Sequence, residues 1–119
     1  MKAGIVLMVV AAGWIASVAV AAPPSISVVP KSVRRGHTVV VKGSADGCAV
    51  GNQVTLISRA FRRVHEFAGV PAVFAKVRSG GVFKVSTRIP ATKKPGRYAV
   101  TGRCGGGNLG VSAHLKVLA

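Results

Sequence analysis

Apolar and polar side chains alternate with a period of two along three stretches in the second half of the chain. In residues 82–89, 97–104 and 111–117, every second side chain is mostly apolar or small, and those between are largely charged or hydroxylated. Successive side chains of a β-strand point to opposite faces, so this spacing predicts strands with one buried and one solvated face. The alternation places Tyr98 and Cys104 on the buried face of their strand.

Shorter apolar runs, separated by Gly, Pro, Asn and Ser, predict four more strands. These lie at residues 26–29, 38–42, 54–58 and 72–77, the last as a candidate edge strand. Between them, Phe61, Val64 and Phe67 recur at a spacing of three, which suits either one or two helical turns or a packed loop. Seven short strands with brief connections indicate an all-β fold, a two-sheet β-sandwich with Greek-key connections.

The N-terminal segment has the pattern of a secretory signal peptide. Lys2 provides a positive start, residues 5–20 carry no charge and are mostly apolar, and Ala21 ends a small-x-small cleavage pattern. We therefore predict a signal peptide at residues 1–21 and one domain at residues 22–119. An uncleaved membrane anchor is the alternative, because roughly 20 apolar residues can span a bilayer. Both interpretations predict a protein that is secreted or associated with the cell envelope.

The two cysteines, Cys48 and Cys104, are expected to form a disulfide bond. An exported chain matures in an oxidising compartment, where an even number of cysteines is usually paired. In the predicted sandwich, the loop after the second strand and the loop after the next-to-last strand lie at the same end, which would bring the sulfurs together. A zinc site or a redox pair fails on spacing, because no second pair of cysteines or paired histidines lies nearby.

The chain is strongly basic. Its formal net charge is +15. Lys2 is the one charged residue in residues 1–21, so removal of that segment leaves a net charge of +14. This charge predicts salt-dependent attraction to a polyanion, with an anionic cell-wall polymer, a membrane surface or an acidic protein as expected partners. Nucleic acid is not expected, because no recognition module is evident and most phenylalanines are assigned to the core. The alternative is that the charge only keeps a monomeric domain soluble.

Eight basic residues are candidates for binding an anion. Three surround Phe61 in the irregular segment, and five occupy outward positions of the predicted strands. They are Arg59, Arg62, Arg63, Lys84, Arg88, Arg97, Arg103 and Lys116.

Residues suited to catalysis are scarce. Asp46 and Glu66 are the only carboxylates, so a hydrolase with paired carboxylates would require a loop and an irregular segment to converge. His37, His65 and His114 are far apart in sequence and lie in neither a nucleophile motif nor metal-ligand spacing. We therefore expect neither an enzyme nor a cofactor or metal site.

The order of several short motifs resembles the immunoglobulin-like domains of small secreted bacterial proteins. The motifs are a Val-x-Pro start at residues 28–30, Gly-x-x-Val-x-Val at 36–41, Gly-Cys at 47–48, Gly-x-Phe at 81–83 and Pro-Gly-Arg-Tyr at 95–98. The resemblance implies an immunoglobulin-like fold over nearly the whole of residues 22–119. It also implies structural roles for Gly96 and for Tyr98, as the corner tyrosine whose hydroxyl bonds to nearby backbone. Cys104 follows that tyrosine by six positions rather than two, so the likeness does not extend to antibody domains.

The Ala-Pro start and the Gly-x-x-Val-x-Val strand are also similar to the neocarzinostatin-type apoproteins. Those are secreted sandwiches that hold an apolar chromophore, so this resemblance implies a small-molecule carrier. That family has two short-range disulfides, whereas this chain has only two cysteines. The expected function is therefore a secreted, non-enzymatic immunoglobulin-like module that binds an anionic envelope component or an extracellular partner, with a small-molecule carrier as the alternative.

Overall fold

The computed structural model of the chain describes residues 23–45, 47–105 and 107–119, which form strands and loops without a helix. The predicted signal peptide and Asp46 lie outside the described residues. Among the residues that are described, no helix suited to crossing a membrane is found. The strands are β1 (Ser25–Val29), β2 (Ser32–Arg34), β3 (Thr38–Ser44), β4 (Gln53–Ile57), β5 (His65–Phe67), β6 (Val70–Lys76), β7 (Val82–Arg88), β8 (Gly96–Cys104) and β9 (Gly107–Leu118).

These strands form two sheets that pack as a β-sandwich, so the all-β prediction is confirmed. One sheet has the antiparallel order β1-β3-β7, and the other has the order β2-β9-β8-β4-β6-β5. In the larger sheet only the pair of β2 and β9 is parallel. Antiparallel neighbours with short connections allow each strand to bury one face and solvate the other.

The core lies between the two sheets and follows the predicted alternation. Phe83 and Thr87 of β7 are buried, and the strand's basic residues are exposed. Val100 of β8 and Leu115 of β9 are fully buried on the facing sheet. Burial of each large apolar side chain contributes about 1.5 to 3 kcal/mol, so this shared apolar layer holds the sheets together.

The disulfide between Cys48 and Cys104 is present, as predicted from the cysteine count. Cys48 lies in the loop between β3 and β4, and Cys104 ends β8. Their Cα atoms are 6.0 Å apart, and the bridge closes a sequence separation of 56. The bond therefore links the β3–β4 loop to the larger sheet.

The segment after β4 contains no helical turn, so the first of the two arrangements that the spacing suits is wrong. Phe61 is buried at 1% exposure, but Val64 is 62% exposed and Phe67 is 38% exposed, so the three side chains share no helix face. The chain forms a β5–β6 hairpin instead, with positive φ at Ala68 and Gly69 in the turn. Positive φ at both central residues matches the right-handed twist of a two-residue hairpin.

The sequence pattern did not predict two of the strands. The strand predicted at residues 72–77 is present as β6, but its edge position is wrong. β5 covers the free side of β6, so the short β5 is the edge. β2 is the other strand that the sequence pattern did not predict, and it has only three residues. Strands this short are too brief for a period-two pattern to be recognised in the sequence.

Candidate anion-binding surface

Buried neighbours position the basic segment that follows β4. Ala60 and Phe61 are buried at 0% and 1% exposure, whereas Arg59 on one side and Arg62 on the other are exposed. The Ser58 hydroxyl accepts a hydrogen bond from the Ala60 amide at 3.1 Å, and the Phe61 amide donates to the Ser58 carbonyl at 3.2 Å. Anchored at Phe61, this turn directs its arginines to the surface.

A groove of about 460 Å³ lies between this segment and the β7–β8 turn. We call it the cationic groove; its polar lining residues are Arg59, Arg63, Thr92, Lys93, Lys94 and Tyr98. The ammonium of Lys93 donates a hydrogen bond to the Arg59 carbonyl at 2.7 Å. Lys93 and Lys94 were not among the candidates from the sequence, because they lie in a turn outside any strand pattern.

Tyr98 forms a hydrogen bond to the backbone of the turn before its strand. Its hydroxyl donates a hydrogen bond to the backbone carbonyl of Lys94, four residues earlier. Gly96 is the first residue of β8, at the end of this turn. The hydrogen bond fixes the β7–β8 turn beside the cationic groove.

The cations continue from the groove across the larger sheet. A second groove of about 250 Å³ contains Arg59 and Arg97, and a third of about 750 Å³ contains Arg97, Lys116 and Lys31. Shared lining residues join the three grooves into one surface. We call it the cationic path, defined by Arg59, Arg63, Lys93, Lys94, Arg97, Lys116 and Lys31.

Like charges lie directly opposite each other on both sheets. Arg97 of β8 is in register with Lys116 of β9, and Lys42 of β3 is in register with Lys84 of β7. All four side chains are exposed. Like charges at directly opposed positions destabilise a sheet, so each pair opposes folding slightly.

The structure brings four of the eight candidates together on the cationic path and leaves the others elsewhere. Lys84 and Arg88 lie on the outer face of the smaller sheet, where the Arg88 guanidinium donates to the Gly36 carbonyl at 2.7 Å. Arg62 lines a separate groove of about 230 Å³ beside Phe74. Sequence spacing could not separate Lys84 and Arg88 from Arg97 and Lys116, because it does not show that β7 belongs to a different sheet from β8 and β9.

Arg103 contacts an exposed aromatic cluster. Its guanidinium carbon lies 4.9 Å from the centre of the Phe67 ring, and the rings of His65 and Phe74 stack with their centres 4.3 Å apart. Phe67 and Phe74 are 38% and 36% exposed. The expectation that most phenylalanines belong to the core therefore holds for only half of the four, Phe61 and Phe83.

Acidic groups contribute little to this surface. Glu66 forms an exposed ion pair with Arg63, with 2.9 Å between Oε1 and the guanidinium nitrogen NH1. Arg63 also donates to the Gly69 carbonyl at 3.0 Å. Within residues 23–45, 47–105 and 107–119, no group of three or more His, Cys, Asp or Glu residues could hold a metal ion.

Comparison with known proteins identifies no family. No protein-family model matches the chain, and no curated protein matches it. Among solved structures, the chain is similar to Pseudomonas fluorescens alkylpurine DNA glycosylase AlkC bound to DNA containing an abasic site analog, with 19% sequence identity and a TM-score of 0.49. The match covers 80% of this chain and 29% of that chain, so this chain spans less than a third of the glycosylase.

Proposed function

We propose that the protein is an exported, non-enzymatic immunoglobulin-like module that binds an anionic polymer of the cell wall along the cationic path. The observation that carries the proposal is the series of cations that line three grooves with shared residues, from the cationic groove to Lys31, with Glu66 at its end as the one described side-chain carboxylate. A surface of one charge attracts a polyanion and loses that attraction as salt screens it.

The length of the cationic path favours a linear ligand. It crosses the sheet from the end of β4 over β8 and β9 to the start of β2. Neighbouring strands are about 4.8 Å apart, so these three steps span about 14 Å. That distance exceeds the diameter of a single small anion and matches the spacing of several successive charged groups along one polymer.

Electrostatic repulsion within the path supports the same function. Arg97 and Lys116 repel each other in the free protein, and a bound anion would relieve that repulsion. The side chains of Arg97 and Lys116 form no ion pair or hydrogen bond with another described residue, so both are available to a ligand. A charge arrangement that slightly opposes folding is consistent with selection for binding.

The immunoglobulin-like assignment and the Greek-key connections are part of this proposal. The order of the sequence motifs supports them, as do the disulfide between the β3–β4 loop and the end of β8 and the Tyr98 hydrogen bond to the turn before its strand. The non-enzymatic character is supported by the carboxylates: Glu66 is engaged by Arg63, and Asp46 is the only other one in the chain.

Retention on a wall polymer tests the proposal. The protein, purified as it is secreted, is applied to beads that carry a teichoic-acid-type polymer and eluted with a salt gradient. We expect retention at low salt, and earlier elution of the double variant Arg97→Gln, Lys116→Gln. The matched control Lys42→Gln, Lys84→Gln removes an equal charge from the other sheet and should elute close to the unmodified protein.

Two results would contradict the proposal. One is the absence of retention at low salt. The other is an equal shift of both double variants, which would show that net charge rather than the cationic path determines retention. The intact mass of the secreted protein gives the cleavage site in the same preparation, and its elution volume in gel filtration tests the expected monomer.

A small-molecule carrier is the second candidate. The groove of about 750 Å³ between β1 and β9 is within the usual size range of ligand sites and includes the apolar side chains of Ile26, Val28 and Ala113. Arg97 and Lys116 also line it, which favours an anionic molecule over an apolar chromophore. A small molecule that co-purifies with the protein, identified by mass spectrometry, would support this function over polymer binding.

A further inference from the structure

We infer that the cationic groove is a subsite for phosphate groups, so that the polymer bound along the cationic path carries phosphate rather than carboxylate. This inference rests on the proposed function and names the chemical class of its ligand.

Two separate parts of the chain form the walls of the groove. Arg59 and Arg63 come from the segment after β4, and Lys93 and Lys94 come from the β7–β8 turn. The hydrogen bond from the Lys93 ammonium to the Arg59 carbonyl, 2.7 Å long, joins the walls directly. The groove is therefore assembled before a ligand arrives, which reduces the entropy lost on binding.

Most hydrogen-bond donors in the groove remain available. The side chains of Arg59 and Lys94 form no hydrogen bond or ion pair with any described residue. Lys93 uses one bond of the three that an ammonium can donate, and Arg63 uses only its NH1 nitrogen, toward Glu66 and Gly69. An incoming anion would thus meet donors from both walls.

Donors on two walls favour a tetrahedral anion over a planar one. A carboxylate presents two oxygens in one plane, and a single guanidinium can satisfy both. A phosphate group presents oxygens in several directions and can accept from opposing arginine and lysine side chains at once. The groove's volume of about 460 Å³ also leaves room for the polymer on either side of the phosphate.

The experiment compares two soluble polymers of equal chain length, poly(glycerol phosphate) and polyglutamate. Titration calorimetry is carried out on the intact secreted protein and two exposed double variants, Arg59→Gln with Lys94→Gln in the groove and Lys42→Gln with Lys84→Gln as the charge-matched control. Loss of two charge-assisted bonds should lower the affinity for poly(glycerol phosphate) about tenfold or more in the groove variant. The control should keep the preference for the phosphate polymer.

A third variant tests the groove in the opposite direction. Glu66→Gln removes the carboxylate that engages Arg63, and it should raise affinity for poly(glycerol phosphate) more than affinity for polyglutamate. Thermal unfolding of each variant checks that the fold is retained, since exposed side chains rarely change stability by more than about 0.5 kcal/mol.

The outcomes separate the inference from the proposed function. Equal affinity for the two polymers, with the groove variant no weaker than the control, would overturn the phosphate subsite and leave polyanion binding intact. Failure to bind either polymer would overturn the proposed function itself. Vesicles of phosphatidylglycerol and phosphatidylcholine form a further arm: groove-dependent binding to them but not to the polymer would keep the phosphate subsite and overturn the wall polymer as its source.

Discussion

Arg97 of β8 and Lys116 of β9 lie directly opposite each other on the exposed surface of the six-stranded sheet. Directly opposed residues of an antiparallel pair have Cβ atoms about 4.5 to 5.5 Å apart. Ser32 of β2 is the next residue in the same row, so no carboxylate compensates the two cations there. The sheet therefore keeps an unfavourable contact where the cationic path crosses it.

Reversing one charge of this pair should stabilise the fold. We expect Lys116→Glu to raise the free energy of unfolding by about 0.5 to 1 kcal/mol in low salt, because repulsion becomes attraction. Urea denaturation measures the change, and salt should reduce it by screening. The neutral variant Lys116→Gln should show a smaller gain. A glutamate variant no more stable than the glutamine variant would contradict the assigned register.

The disulfide should account for a large share of the stability. For a sequence separation of 56, chain-entropy reasoning gives a contribution of roughly 4 kcal/mol. We expect the double variant Cys48→Ala, Cys104→Ala to lose about that amount in urea denaturation. Reduction of the unmodified protein should shift its unfolding midpoint similarly. A loss below about 1 kcal/mol in both would show that the bridge does not constrain the unfolded chain.

The β5–β6 turn offers a stabilising substitution. Ala68 has a φ of 51° and precedes Gly69 at 82°, a combination that favours Asn-Gly in a two-residue hairpin. Asparagine tolerates this conformation better than alanine, so Ala68→Asn should raise the unfolding free energy by about 0.5 to 1 kcal/mol. Ala68→Val is the opposing control, because a β-branched side chain is strained at positive φ. Greater stability of the valine variant would refute the turn geometry.

Gly43 should tolerate no side chain, because β1 passes too close to it. A Cβ at this position would lie 1.9 Å from the Ser25 carbonyl oxygen and 2.9 Å from Cζ of Phe83. We expect Gly43→Ala to displace β1 and to cost about 2 to 3 kcal/mol or more. Hydrogen exchange of the β1 amides measures the displacement.

Gly107→Ala is the matched control for this substitution. A Cβ there would meet nothing closer than the Cys104 carbonyl oxygen at 3.6 Å. Its stability should change by less than about 0.5 kcal/mol. Similar losses in both variants would argue against the close approach of β1 to Gly43.

The alternation in residues 82–89, 97–104 and 111–117 was enough to predict β7, β8 and most of β9, because a strand's period of two is carried by adjacent residues. The pairing of Cys48 and Cys104 could also be predicted from the sequence, since two cysteines allow only one intramolecular bridge. For the site, the sequence identified Arg59, Arg63, Arg97 and Lys116 as candidates for binding an anion. It could not indicate that these four, and not Lys84 or Arg88, share one surface.

By itself, then, the sequence determined the all-β character, the alternating faces, the charge and the disulfide, because each depends on residue type or on spacing within one segment. The tertiary structure decided the β5–β6 hairpin, the parallel pairing of β2 and the grouping of the cations. In the cationic groove, Lys93 bonds to Arg59 across 34 positions of sequence. Such a contact forms only because the fold places the segment after β4 beside the β7–β8 turn, and no local sequence pattern encodes that arrangement.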